Sequence, residues 1–203
     1  MIEIRKARLP AMSESLRLFL AVEPDPELRR GLSRIIDELK REPRGDHVRW
    51  VRSENLHLTL RFLGAVATED VTGISSLIRT ATGKIGPFHV QVDTIAPFPS
   101  RKSPRAVVAN ITPSSELLEL AAALEKTARS AGFAREKRPY APHITLGRLT
   151  GSHTPPLREA MNADLEPLTV DKITLVKSEQ IEHARRYTPL EYFSLREPSD
   201  EGV

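Results

Sequence analysis

A four-residue pattern that occurs twice, far apart in the chain, constrains the fold more than any other feature. Residues 57–60 read His-Leu-Thr-Leu and residues 143–146 read His-Ile-Thr-Leu. In a β-strand, successive side chains point to opposite faces of the sheet. Each copy therefore predicts a strand that buries its two aliphatic residues and presents its histidine and its threonine together on the other face.

The order of the elements around the two copies also repeats. Residues 17–63 predict a strand, a helix, a connection and a strand that begins with the first copy, and residues 105–149 predict the same order around the second copy. Two similar halves of this kind are typical of a duplicated fold. The sequence therefore predicts an α+β fold with pseudo-two-fold duplicated lobes, in which two antiparallel sheets flank a central cleft and the helices lie outside.

Hydrophobic periodicity and turn residues predict the individual elements. Helices are expected from Pro24-Asp25-Pro26 to about residue 41, from after Thr68 to about Gly83, and from Thr112-Pro113 to Gly132. Strands are expected at 16–22, 47–51, 57–63, 88–95, 105–111, 143–149, 169–177 and 188–195. We expect a flexible leader at 1–14, a single bilobal domain at 15–196 and a flexible tail at 197–203.

Composition excludes several classes of site. The chain contains no cysteine, which excludes disulfides, thiolate zinc sites and cysteine nucleophiles. The net charge of +3 suits an anionic ligand. No apolar stretch approaches the length of a membrane span, and the run at 18–22 is too short for the core of a signal peptide. We therefore expect a cytoplasmic protein. We also expect a monomer, because no heptad pattern indicates association with a partner.

Two histidines and two threonines around one point suit the chemistry of a phosphodiester. Attack on phosphorus needs a base that takes a proton from water and an acid that protonates the departing oxygen, and two imidazoles can supply both near neutral pH. The hydroxyls of Thr59 and Thr145 can donate hydrogen bonds to non-bridging phosphate oxygens. We therefore expect His57 and His143 to be catalytic and the two threonines to bind the substrate, with neither a metal nor a cofactor required.

Two arginines follow the motifs at different distances. By strict alternation, Arg61 falls on the same face as His57 and could reach an anion. Arg148 falls on the face opposite to His143, so a role for Arg148 would require a bulge in the strand.

The motifs and their surroundings resemble the two-histidine (2H) phosphoesterase superfamily. Residues 55–64 read Asn-Leu-His-Leu-Thr-Leu-Arg-Phe-Leu-Gly, and residues 138–148 read Arg-Pro-Tyr-Ala-Pro-His-Ile-Thr-Leu-Gly-Arg. Within the superfamily they resemble the bacterial and archaeal RNA 2′,3′-cyclic phosphodiesterase branch, formerly called 2′–5′ RNA ligase. The similarity runs from about residue 16 to 195.

The resemblance implies an RNA-processing hydrolase that converts 2′,3′-cyclic phosphate ends to 2′-phosphates. By the family's pattern, His57 would donate a proton to the leaving 3′ oxygen, and His143 would accept a proton from water. Thr59 and Thr145 would hold the phosphate. The partners implied are RNA 3′ ends or small cyclic-phosphate nucleotides.

Three alternatives remain open at this point. Catalytic zinc needs about three protein ligands, and neither motif offers a neighbouring His, Asp or Glu on its ligand face. A non-catalytic RNA-binding protein would depend on Lys and Arg rather than on His57. The same two histidines could also catalyse the reverse reaction, which joins RNA ends through a 2′–5′ linkage.

The other histidines and one tyrosine have no predicted part in the chemistry. We expect surface or capping positions for His47, His89, His153 and His183, and Tyr140 could either stack on a base or pack.

Overall fold

Eleven β-strands and three α-helices make up the part of the chain that the computed structural model describes, residues 14–151, 155–157, 160–181 and 184–196. The helices are α1 (Pro26–Arg41), α2 (Val71–Thr82) and α3 (Ser115–Ser130). The strands are β1 (Ser15–Val22), β2 (Val48–Trp50), β3 (Leu58–Ala67), β4 (Phe88–Val90), β5 (Val92–Phe98), β6 (Ala106–Ile111), β7 (His143–Leu149), β8 (Met161–Asn162), β9 (Leu168–Val170), β10 (Lys172–Ile181) and β11 (Ala184–Ser194).

Nine strands form two antiparallel halves that meet at a single residue pair. The first half has the order β11-β10-β1-β3, and the second has the order β7-β6-β5-β8. The halves meet where Leu58 of β3 lies opposite Ile144 of β7, and β2 pairs with the other end of β7. Strands β4 and β9 form a separate small sheet. The predicted α+β class with two antiparallel sheets is confirmed, and the sheets are joined at their inner edges.

Local signals explain where the helices begin. The side chain of Asp25 accepts hydrogen bonds from the backbone N–H groups of Glu27 and Leu28, at 3.0 and 2.9 Å, so α1 begins at Pro26 as predicted. Helix α3 begins at Ser115 rather than at Thr112-Pro113, because Ser114 caps it by accepting from the N–H of Leu117 at 3.2 Å. The apolar stripe of α1 is buried at Leu28, Leu32, Ile36 and Leu39.

Two predicted strands differ from the observed ones. The segment predicted as one strand at 169–177 is divided into β9 and β10, and the segment predicted as one strand at 88–95 is divided into β4 and β5; in both cases the two pieces belong to different sheets. Gln91 lies between β4 and β5, and its carbonyl accepts a hydrogen bond from the N–H of Thr112 rather than from a neighbouring strand. Strand β5 also continues to Phe98, beyond the predicted end of the strand at residue 95.

The helices cover one face of the sheet and leave the other face for the motifs. Helix α3 packs against β3, and α2 packs against both α3 and β11. Helix α1 lies close to the second half, where Gly31 leaves room for the side chain of Leu165. Within the described residues, the helices therefore lie on one face of each half.

The expected leader and tail fall largely outside the described residues, which begin at Glu14 and end at Arg196. The domain boundaries and the monomeric state stay predictions. Within the described residues, none of the helices has the length and apolar character that crossing a bilayer requires.

Candidate active site

The two motifs meet at the junction of the two halves. Leu58 and Ile144 are fully buried on the face covered by helices. By alternation, the half-buried residues on either side of this pair, His57, Thr59, His143 and Thr145, lie on the opposite face, here called the motif face. Because the strands are antiparallel, each histidine lies beside the threonine of the other motif. The structure thus brings together all four predicted site residues.

Both imidazole rings are oriented by the same local hydrogen bond. Nδ1 of His57 lies 2.7 Å from the carbonyl oxygen of Asn55, and Nδ1 of His143 lies 2.7 Å from that of Ala141. A carbonyl oxygen can only accept, so the proton of each neutral ring resides on Nδ1. Nε2 of each ring is then the nitrogen that accepts or donates a proton during a reaction.

Aromatic side chains hold the two rings in place. The ring of His57 lies 4.9 Å from that of Phe19 and makes an edge contact with Tyr187 at 5.2 Å. The ring of His143 stacks on Phe98 at 4.4 Å. Sequence reasoning missed these three aromatic residues. The available signal was in β1, where alternation places Phe19 on the same face as the exposed Arg17.

Burial lowers the pKa of both histidines below the usual value of 6.5. The hydrogen bonds to the backbone carbonyls act in the opposite direction, and the positive charge of Arg148 lowers both pKa values further. The carboxylate of Glu23 raises the pKa of His57, whereas the charge of His143 lowers it. The neutral form of both rings is therefore favoured at neutral pH when the site carries no anion.

A β-bulge follows the threonine in each motif. Leu20 and Ala21 of β1 pair with Arg61 and Thr59, so Leu60 is the extra residue of β3. In β7 the extra residue is Leu146, because Val107 and Val108 of β6 pair with Gly147 and Thr145. A bulge adds one residue to a strand and so reverses the alternation beyond it. The bulge occupies the same position in both motifs, which supports the duplication.

The prediction that Arg61 faces the same side as His57 is wrong, because the bulge at Leu60 reverses its direction. Arg61 is 7% exposed and lies on the face covered by helices. Its guanidinium forms an ion pair with Glu125 of α3 and donates to the carbonyl oxygen of Ala134. Arg61 is thus a buried structural residue.

The bulge required for a role of Arg148 is present. The extra residue at Leu146 turns Arg148 to the motif face, where its charge acts on both His57 and His143. Phe62 occupies the equivalent position in the first motif and is 57% exposed near Phe19. On the motif face, the second motif is therefore followed by the cation of Arg148, and the first motif is followed by the aromatic ring of Phe62.

The residues that lie beside the two histidines on the flanking strands β1 and β6 differ in charge. In β1, Val22 lies opposite Leu58, so the next residue, Glu23, follows on the side of His57. One oxygen of the Glu23 carboxylate accepts a hydrogen bond from the buried Thr174 at 3.1 Å. In β6, Asn110 lies opposite His143 and donates to the hydroxyl of Thr94 at 3.0 Å.

Tyr140 packs rather than presenting a face for stacking. Its hydroxyl donates to the carbonyl oxygen of Thr59 at 3.3 Å, and burial raises its pKa. His47 and His89 lie beside Asp46 and Thr169 respectively, away from the junction, whereas His153 and His183 lie outside the described residues. In the described part of the chain, no three His, Asp or Glu side chains are grouped as a metal site would require.

Comparison with known proteins identifies a family and similar enzymes. The family model described as LigT like Phosphoesterase matches residues 22–108 and 111–184. The RNA 2′,3′-cyclic phosphodiesterase of Methanothermobacter thermautotrophicus is 31% identical over 185 residues, which cover 89% of this chain and 99% of that protein. The enzyme of the same name from Escherichia coli is 31% identical over 193 residues, which cover 91% of this chain and 99% of that protein.

A solved structure is also similar over most of the chain. Escherichia coli LigT complexed with 3′-AMP superposes with a TM-score of 0.76 at 29% identity, covering 90% of this chain and 99% of LigT. The chain is therefore an enzyme of the LigT-like phosphoesterase family, within the 2H phosphoesterases that its two motifs resemble.

Proposed function

We propose that this enzyme hydrolyses 2′,3′-cyclic phosphate ends of RNA to 2′-phosphates by a two-histidine mechanism without a metal ion. The observation that carries the proposal is the placement of His57 and His143 on one face, each with Nδ1 bound to a carbonyl and each beside the threonine of the other motif. The names of the relatives, RNA 2′,3′-cyclic phosphodiesterases, support the substrate class.

In the proposed reaction, the oxygen of a water molecule attacks phosphorus while Nε2 of His143 takes a proton from that water. The bond between phosphorus and the 3′ oxygen breaks, and Nε2 of His57 donates a proton to the departing oxygen. The product carries a free 3′ hydroxyl and a 2′-phosphate. Thr59 and Thr145 donate hydrogen bonds to non-bridging oxygens, and Arg148 stabilises the negative charge that develops on them.

The different neighbours of the two histidines support this assignment of roles. An acid must hold its proton when the substrate arrives, and the carboxylate of Glu23 favours the protonated form of His57. A base must be neutral, and His143 has the uncharged Asn110 across β6 in place of a carboxylate. The charge of Arg148 lowers the pKa of both histidines and so does not distinguish them. The carboxylate of Glu23 is thus the difference between the two halves that supports His57 as the acid.

The deciding experiment is incubation of the protein, in the presence of a chelator, with an RNA oligonucleotide that ends in a 2′,3′-cyclic phosphate. We expect a 2′-phosphate product from the wild type and none from His57→Ala or His143→Ala, while both variants still bind the RNA. A 3′-phosphate product would contradict the assigned leaving oxygen. Loss of turnover with the chelator would instead support a metal hydrolase.

The same experiment separates the other two alternatives. A protein that only binds RNA would leave the cyclic phosphate intact while retaining salt-dependent affinity. Ligation would require a second RNA with a free 5′ hydroxyl, and we expect hydrolysis to exceed it because water is present in large excess.

A further inference from the structure

Two arginines lie directly opposite each other at the edge of the candidate site. In the antiparallel pair of β2 and β7, Arg49 is the partner of Arg148. Side chains on directly opposed residues start about 4.5–5.5 Å apart at Cβ. On its other side, Arg148 pairs with Ala106 of β6, which brings no charge. Of the two residues that pair with Arg148 across the sheet, Arg49 is therefore the charged one.

The packing of the rest of β2 turns Arg49 to the motif face. A side chain at Gly147 would collide with Val48 and Trp50, so these two residues fill the helix-covered face at this point. The indole N–H of Trp50 donates to the carbonyl oxygen of Gly45 at 2.9 Å, which holds the strand in that orientation. Arg49, between Val48 and Trp50, must then project beside Arg148.

This arrangement costs free energy unless an anion is bound. Like charges directly opposite each other in a sheet are destabilising. Among the described residues, neither Arg49 nor Arg148 makes an ion pair with a carboxylate, and both side chains are exposed. A pair of adjacent, uncompensated guanidinium groups is suited to a ligand that carries more than one negative charge along its length.

We propose that Arg49 binds the phosphodiester on the 5′ side of the terminal nucleotide, so that the enzyme prefers an RNA strand to a mononucleotide. This inference rests on the proposed function. Arg148 lies on the motif face and its charge acts on both histidines, which supports a contact with the terminal cyclic phosphate. Arg49 lies on β2, opposite Arg148 and toward the end of β7 away from the Leu58–Ile144 pair. A nucleoside 2′,3′-cyclic phosphate has a single phosphate and lacks the group that Arg49 would contact, whereas a dinucleotide has both.

The test compares two substrates with the same terminal nucleoside, a nucleoside 2′,3′-cyclic phosphate and a dinucleotide that ends in the cyclic phosphate and lacks a 5′-phosphate. We expect the wild type to have the higher kcat/KM on the dinucleotide. We expect Arg49→Gln to lower kcat/KM on the dinucleotide about tenfold, mainly through KM, the usual effect of one charged hydrogen bond. The same variant should leave the mononucleotide unaffected. Arg30→Gln, an exposed arginine of α1, is the matched control.

Two further readouts separate phosphate binding from a structural effect. A dinucleotide with an uncharged methylphosphonate linkage should be as poor a substrate for the wild type as the normal dinucleotide is for Arg49→Gln. The salt dependence of log KM for the dinucleotide should weaken by about 0.7 in slope in Arg49→Gln, as expected for one lost contact with a single strand. The variant should also melt no lower than the wild type, because it removes a repulsion.

Equal loss on both substrates, or no loss on either, would overturn this inference and leave the proposed function standing. Absence of turnover of both substrates by the folded wild type would overturn the proposed function, and the inference with it.

Discussion

Glu23 and Asn110 occupy equivalent places beside the two motif histidines, and one is a carboxylate where the other is an amide. If His57 is the acid, Glu23→Gln lowers its pKa and reduces the protonated fraction. We expect kcat/KM to fall, with the largest fall on the alkaline side of the pH profile. If His57 were the base, the same change would raise kcat/KM, so the sign of the effect tests the assignment.

Asn110→Asp is the complementary variant. A carboxylate at this position would raise the pKa of His143 and reduce the fraction of neutral base. We expect kcat/KM to fall mainly on the acidic side of the profile, measured with a nucleoside 2′,3′-cyclic phosphate. A fall confined to the alkaline side would contradict the role of His143 as base.

The pH optimum follows from burial of the two rings. The fraction of enzyme molecules in which one histidine is protonated and the other is neutral is greatest between the two pKa values. Burial lowers both pKa values below 6.5. We expect kcat/KM of the free enzyme to peak below pH 6.5. Arg148→Gln removes a charge that lowers both values, so its peak should move to higher pH while the maximum falls about 100-fold or more, as for loss of one oxyanion donor. A peak that stays in place in Arg148→Gln would argue against this charge acting on the rings.

The hydroxyls of Thr59 and Thr145 are predicted to bind the phosphate. We expect Thr59→Ala or Thr145→Ala to lower kcat/KM about 10- to 100-fold, which corresponds to about 1.5–3 kcal/mol for a hydrogen bond to a charged group. Thr→Ser at the same position retains the hydroxyl and should restore most of the activity. Equal losses in the Ala and Ser variants would mean that the methyl group, through packing, is what matters.

The ion pair of Arg61 and Glu125 is predicted to affect stability and not chemistry. Removing one partner of a fully buried pair costs about 3–5 kcal/mol. We expect Glu125→Ala to lower the free energy of unfolding by an amount near the lower end of that range, because Glu125 is 26% exposed. Denaturant unfolding measures this loss, and kcat should be unchanged while the protein is folded. The double variant Arg61→Met with Glu125→Leu should recover most of the stability. A loss of kcat in Glu125→Ala would contradict this prediction and indicate that Arg61 contributes to the site.

Much of the fold could be predicted because it depends on local patterns. The apolar stripe of α1 and the alternation of His57, Leu58 and Thr59 are properties of neighbouring residues, and they specify an amphipathic helix and a one-sided strand. The repetition of the pattern at His143 then predicted the duplication, and with it the convergence of the four site residues.

The direction of the residues beyond the motifs depended on the partner strands. The bulges at Leu60 and Leu146 are created by the register with β1 and β6, and each reverses the alternation after it. For this reason Arg61 is buried and Arg148 faces the histidines, the reverse of what strict alternation predicted.

The sequence by itself determined which residues are the candidates for the chemistry, because the residue types and their spacing within each strand are local. Only the tertiary structure decided which charges surround them. Glu23 lies beside His57 and Arg49 beside Arg148 because separate strands pair in a particular register, and register is set by packing across the whole sheet.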